Sequence, residues 1–371
     1  LYQSQSFFRQ EIDCFETTGK IAFFKTAGDF AFDIFAASFF LITRYEEYLP
    51  HNIDFYGRYS HENSLAFNHG FLHLPLINLW LEDFKRLLLQ KYPGLKLSPP
   101  TFTFTPTYDI DIAWSYKQKG FLRNVGGLLK SLYKDQFSHV CERLAVLAGK
   151  QEDPYDSFQR LHQLHKEHQL SPIYFFLLAK KNKGYDKNIL PSKVALQELI
   201  NEHSLKYQVG IHPSWQSGDD NEMLLQEIDL LKKFTKIQIQ QSRQHYIRMT
   251  LPETYRRLIA AGIKEDYSMG YGSINGFRAS YCMPYQWYDL EKEQVTDLTI
   301  YPFCFMDANA YFEQHLTPQE ALHEMEHYYR VTKRVNGHFI TIWHNHFLGT
   351  DQMFKGWREI YKQMVEKIKK D

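Results

Sequence analysis

Six side chains of this sequence stand where chemistry could be done: Asp109, Asp111, His212, His245, Arg278 and His344. Each follows closely on a strand-like run. Asp109 and Asp111 come after residues 101–108, His212 after 207–211, Arg278 after 274–277 and His344 after 339–343, while His245 trails 235–240 by a few residues. In parallel α/β folds the reactive groups gather at the carboxyl ends of strands, and these exits carry carboxylate, imidazole and guanidinium. Asp109-Ile110-Asp111 has a physical logic of its own. Residues two apart in extended backbone point the same way, so both carboxylates face one side while Ile110 turns inward. Two carboxylates that close repel each other unless a cation compensates; a divalent metal on one and Arg278 near the other would do so. The bland alternatives are solvated strand-end aspartates or caps for a following helix. His212, in Val209-Gly210-Ile211-His212-Pro213, is informative only in company, because a lone strand-end histidine is more often a hydrogen-bonded structural residue.

The elements that must position these groups alternate. Strand-like runs at 101–108, 173–178, 207–211, 235–240, 274–277, 299–303 and 339–343 are interleaved with helical stretches at 156–168, 193–202, 221–234, 252–261 and 318–334. Such alternation predicts parallel pairing in an open sheet or a barrel, and seven strands favour a distorted (β/α) barrel, closed or incomplete. A last helix at 356–370 carries an apolar stripe of Trp357, Ile360, Tyr361, Met364 and Ile368 to cover it. Ahead of this lies a smaller α/β domain, residues 1–96, with helices at 30–48 and 74–91. The second ends at Tyr92-Pro93-Gly94, and a linker stiffened by Pro99-Pro100 leads into residues 101–371.

In order, the chain reads Thr107-Tyr108-Asp109-Ile110-Asp111, Gly210-Ile211-His212-Pro213-Ser214, Gly276-Phe277-Arg278 and Ile340-Thr341-Ile342-Trp343-His344. Over roughly residues 101–350 this series resembles the motifs of the polysaccharide deacetylases, the NodB-homology carbohydrate esterases; the first hundred residues lie outside it. The resemblance implies a distorted barrel holding a divalent metal, usually zinc. It implies Asp109 as general base, Asp111 and His212 as metal ligands, Arg278 as the arginine that orients the base and His344 as the acid. The activity implied is hydrolysis of an amide or ester, an N-acetyl group on an amino sugar above all. The partner would be an N-acetylated sugar or polysaccharide.

Three departures bear on that site. Gln216 stands where the second motif has another histidine, the third motif reads Arg278-Ala279-Ser280-Tyr281-Cys282, and nothing matches DxxDW. A catalytic zinc takes three protein ligands and leaves one position open, so a third must come from elsewhere. His245, in Arg243-Gln244-His245, is the candidate, with His346 and Asp307 in reserve. Without a third ligand the alternative is a carbohydrate-binding barrel with no activity. A more remote alternative is a zinc protease, since His323-Glu324-Met325-Glu326-His327 fits HExxH. There, however, Leu322, Met325 and Tyr329 form the apolar stripe and leave both histidines toward the polar side. Tyr281, Tyr285, Trp287 and Tyr288 cluster after Arg278, where aromatic faces could stack on a sugar, although ordinary packing is the better account of most of them.

Composition narrows the field. The 371 residues carry 43 Lys+Arg against 43 Asp+Glu, a balance with no electrostatic footprint for nucleic acid or an anionic membrane. The longest apolar stretch, residues 30–43, is interrupted by Asp33 and too short to span a bilayer. Cys14, Cys141, Cys282 and Cys304 form no CxxC pair and read as free thiols, which slightly favours a cytoplasmic setting. The chain opens on Leu1 rather than Met and is read as trimmed at its N-terminus.

Overall fold

A computed structural model describes residues 11–371; the first ten residues of the expected N-terminal domain lie outside the described residues. Strands β1 (Phe15–Thr17) and β2 (Lys20–Ala22) pair as a small antiparallel hairpin. The other nine are β3 (Thr103–Ile110), β4 (Ile173–Leu177), β5 (Gln208–His212), β6 (Gln241–Ser242), β7 (Glu265–Asp266), β8 (Tyr285–Asp289), β9 (Gln294–Ile300), β10 (Phe305–Met306) and β11 (His338–His344). They form one sheet in the order β10-β11-β3-β4-β5-β6-β7-β9-β8. The pairs β3–β4, β4–β5, β6–β7 and β7–β9 are parallel, and β8 turns back antiparallel on β9. The strand order is linear, with β10 and β8 at its ends, so the closure expected of a barrel is not part of this pairing.

The chain divides into two compact units, each discontinuous. One comprises 106–239 and 342–371. Its strand β4, Ile-Tyr-Phe-Phe-Leu, is buried at every position, as expected of a parallel strand covered on both faces. Helix Asn221–Thr235 starts where the Asp220 side chain accepts the amide of Met223, and ends at Lys236 in the left-handed region. That turn removes the strand expected at 235–240; only Gln241–Ser242 pairs.

The other unit comprises 1–105 and 240–341. The described part of the N-terminal segment packs in one compact unit with residues 240–341. Phe23, Phe32, Leu41, Leu72 and Trp80 share one apolar cluster with Tyr271, and Ile274 and Tyr281 pack against it. The amide of Ile77 donates to the carbonyl of Ser280 and that of Phe277 to Leu72. The strand expected at 274–277 is irregular for the same reason. Gly276 sits at φ +144°, and a Cβ there would lie 2.7 Å from the Leu72 side chain, so only glycine permits this approach.

Candidate active site

Within the unit 106–239 and 342–371, three strand ends converge. Asp109 is the penultimate residue of β3, with Asp111 just beyond it; His212 closes β5 and His344 closes β11. The register sets His212 opposite Leu177 on β4, and Asp109 opposite Phe175 on the same strand. His212 Nε2 lies 3.1 Å from Asp111 Oδ1 and 3.8 Å from Asp109 Oδ2, and His344 Nε2 lies 3.5 Å from Asp111 Oδ2. Asp109, His212 and His344 are buried and Asp111 is half-buried. Carboxylates this close to imidazoles can share protons with them or join them around a cation.

Side chains that sequence reasoning passed over hold this arrangement. Asn188 Nδ2 donates to the carbonyls of Ile110 (3.1 Å) and Leu177 (3.0 Å), and its Oδ1 accepts the amide of Ala113. Asn345, next to His344, donates to the carbonyls of Ile112 and Tyr155. The backbone around Asp111 is thus stapled from two directions by buried amides, which satisfy polar groups that would otherwise be costly to bury. Nothing in the pattern around either asparagine signals this, because its partners are main-chain atoms far away in sequence.

In the other unit, β6 delivers Arg243 and His245. The segment is fixed through β7. Arg243 Nε donates to the carbonyl of Tyr267 (3.0 Å), and the amide of Gln244 to Ser268 Oγ (2.9 Å). Ser242 Oγ, Ser268 Oγ and the Ser268 amide all donate to Asp266, each at 2.9 Å. Burial pushes the Asp266 carboxyl up to about 6, although these hydrogen bonds and Arg243 pull it the other way. Arg243 and His245 are both buried. Gln244 between them is extended, so the two side chains leave one face of the backbone. That i, i+2 relation was readable in Arg243-Gln244-His245, yet only the histidine stood out there.

Asp111 and His212 belong to one unit and His245 to the other. Arg278 does something else. Its Nε and Nη2 donate to the two oxygens of Glu47 at 2.8 and 2.6 Å, and its Nη1 to the carbonyl of Gly270 at 3.0 Å. These bonds tie residues 270–278 to the N-terminal segment and do not serve the expected role of orienting Asp109. Of the reserves, Asp307 is buried and accepts the amide of Ala308, and His346 packs between Tyr155 and Phe354. Burial pushes the His346 imidazole down to about 3, a neutral packing residue. Gln216 spends its amide on Asp186 and the carbonyl of Lys181. In the HExxH helix, Glu324 accepts from Asn275 Nδ2 (2.7 Å) and Gln314 Nε2 (2.8 Å), His323 is exposed, and His327 meets His73. Among the described residues no helix is long and apolar enough to cross a membrane.

Residues 1–93 match a family of unknown function, DUF7033. No match was found among curated proteins. Among solved structures, the chain is similar to a protein assigned to the polysaccharide deacetylases from Mycobacterium smegmatis. The identity is 12%, over 74% of this chain and 89% of that one, with a TM-score of 0.45. A protein from Pseudomonas aeruginosa PAO1 with the same assignment gives 11% identity over 73% and 85%, with a TM-score of 0.44. The polysaccharide deacetylase Bc1974 from Bacillus cereus gives 8% over 72% and 88%, with a TM-score of 0.34.

Proposed function

We propose that this chain is a metal-dependent hydrolase that removes an acyl group, N-acetyl above all, from a carbohydrate. The observation that carries the reading is the convergence of Asp109, Asp111, His212 and His344 from the ends of three strands. The motif series of the deacetylases supports it. Two imidazoles and one carboxylate, those of His212, His245 and Asp111, would be a donor set suited to zinc, with His245 serving in place of the second-motif histidine that Gln216 replaces. A divalent ion held there would supply Lewis acidity towards a carbonyl and lower the pKa of water.

The rest of the chemistry belongs to the chain. Asp109, beside His212, accepts the proton of the attacking water as the new C–O bond forms. His344, protonated at Nε2, donates to the amide nitrogen as the C–N bond breaks, which leaves a carboxylate and a free amine. Asp111 Oδ2 lies 3.5 Å from that imidazole nitrogen, which places the acid beside the carboxylate assigned to the metal. Arg243, buried and on the same face of its backbone as His245, would be the basic group of the site in place of Arg278.

The test uses protein purified without chelator. The expected result is about one equivalent of a divalent metal, with acetate release from N-acetylglucosamine oligomers that stops on chelation and returns with zinc. Asp111→Ala and His212→Ala should each lose the metal. Full metal occupancy in both variants, or metal-free protein with no acetate release, would sink the reading. In the second case oligomer binding would favour a carbohydrate-binding barrel.

A further inference from the structure

Trp215 follows His212 by three residues and differs from every other tryptophan of the chain. Trp80, Trp114, Trp287, Trp343 and Trp357 are buried; Trp215 is half-buried. Its ring lies against that of Tyr185, also half-buried, with centroids 4.3 Å apart and planes tilted by 44°. The turn that presents it is held with unusual firmness. Buried Asp186 accepts the Trp215 amide on Oδ1 (2.8 Å) and Gln216 Nε2 on Oδ2 (2.9 Å). Buried Glu227 accepts the Ser214 amide and Ser217 Oγ on Oε2, both at 2.9 Å. Two carboxylates taken out of water to hold one four-residue turn are a large outlay for a surface loop, since an ordinary turn needs no charge at all. Their effect is to fix the backbone from which the Trp215 ring projects.

We propose that Trp215 and Tyr185 form the ring-stacking subsite of the active site and take the C–H face of a pyranose ring of the acylated substrate. The proposal rests on the hydrolase reading above and extends it to how the sugar is held. An aromatic pair offers a flat apolar wall that matches the axial hydrogens of a sugar without requiring charge, in keeping with a neutral substrate. It also accounts for Gln216. A histidine there would serve the metal; the glutamine instead bridges Asp186 and the carbonyl of Lys181, which locks the strand-exit loop carrying Tyr185 to the one carrying Trp215. At this position the side chain serves substrate placement in place of coordination.

The experiment measures binding of N-acetylglucosamine tetramer to the full chain by calorimetry, alongside acetate release. Trp215→Ala should weaken binding and raise KM by about tenfold, the size expected for loss of one aromatic stack, with kcat changed by less than about threefold. Trp215→Phe should recover most of the loss, and Tyr185→Ala should show a smaller rise in KM. Calorimetry needs neither metal nor turnover, so absence of acetate release would count against the hydrolase reading while leaving the subsite measurable. Wild-type protein that does not bind the tetramer overturns the subsite, as does unchanged binding by folded Trp215→Ala. Should Trp215→Ala not fold, Trp215→Phe and Tyr185→Ala decide: wild-type KM in both overturns it.

Discussion

Two clusters of buried charge in this protein use similar side chains to opposite ends. Around Glu47 the partners are strong: Arg44 Nε at 2.7 Å and Arg278 Nε and Nη2 at 2.8 and 2.6 Å, with Arg278 Nη1 on the carbonyl of Gly270. Burial alone would raise Glu47, yet the two guanidinium groups hold it down at about 2. The charges there are permanent and cannot exchange protons near neutrality. Around Asp109 and Asp111 imidazoles stand at 3.1 to 3.8 Å, and imidazole is the side chain whose ordinary titration falls in the physiological range. Short, bidentate, arginine-saturated charge is built to hold chain segments together. Loose convergence of carboxylate and imidazole is built to move protons or close on a cation. The distinction lies in the partners, and residue type alone does not reveal it.

The sharpest way to break this contrast is to remove one charge from each cluster. Asp109→Asn keeps the shape and removes the base. Acetate release should fall by about 10²–10⁴, while the urea midpoint of unfolding moves little. A variant that unfolds easily yet retains turnover per folded molecule would make Asp109 structural. Glu47→Gln should do the reverse. It leaves Arg278 buried without a counter-charge and Arg44 with only Glu46 at 3.5 Å, a loss of about 3–5 kcal/mol, with kcat per folded molecule near wild type. Its pH dependence is set by the sign of the shift. The folded pKa of Glu47 lies below its unfolded value, so the stabilisation is complete above the unfolded pKa and fades as pH falls towards about 2. The stability gap between wild type and Glu47→Gln should therefore be wide at pH 6 and narrow at pH 3; equal gaps at the two pH values would contradict the assignment.

The same contrast explains why some of the site is legible in the sequence and some is not. Asp109, Asp111, His212 and His344 are legible because parallel strands bring their carboxyl ends to one side, so a polar side chain at a strand exit can be placed from its position alone. Helices such as Pro318–Arg334 are legible as well: Thr317 and Glu320 form a complete capping box and Pro318 opens the first turn. Arg278 misleads because residues 274–277 look like a strand exit. The chain there bends around Leu72, and the partner that claims the arginine, Glu47, lies 231 residues earlier. Arg243 escapes notice because its strand, β6, is two residues long and carries no periodicity of its own. The packing of the N-terminal segment with residues 240–341 is illegible for a related reason. Pro99-Pro100 marks a real break in secondary structure, but the apolar face of helix Leu76–Lys91 packs with Tyr271, which no local pattern connects to it.

The smallest expected effect tests the motif that best fits a named zinc pattern. In His323-Glu324-Met325-Glu326-His327 the spacing is right, but the side chains point to different tasks. Glu324 lies against two segments at once: its oxygens accept Asn275 Nδ2 and Gln314 Nε2, and Asn275 Oδ1 in turn accepts the amide of Met306. Burial pushes the Glu324 carboxyl up, which suits a group that accepts neutral amide donors. A zinc-protease base would need both histidines turned to one ion beside it. Here His323 is exposed and His327 Nε2 sits 3.1 Å from the carbonyl of His73. Glu324→Gln keeps one acceptor and loses one hydrogen bond, a cost of about 1 kcal/mol. Unfolding should shift by about that amount, while metal content and acetate release stay within about twofold of wild type. A collapse of turnover or loss of metal at unchanged stability would move the chemistry to this helix and leave the strand-end cluster as one more structural network.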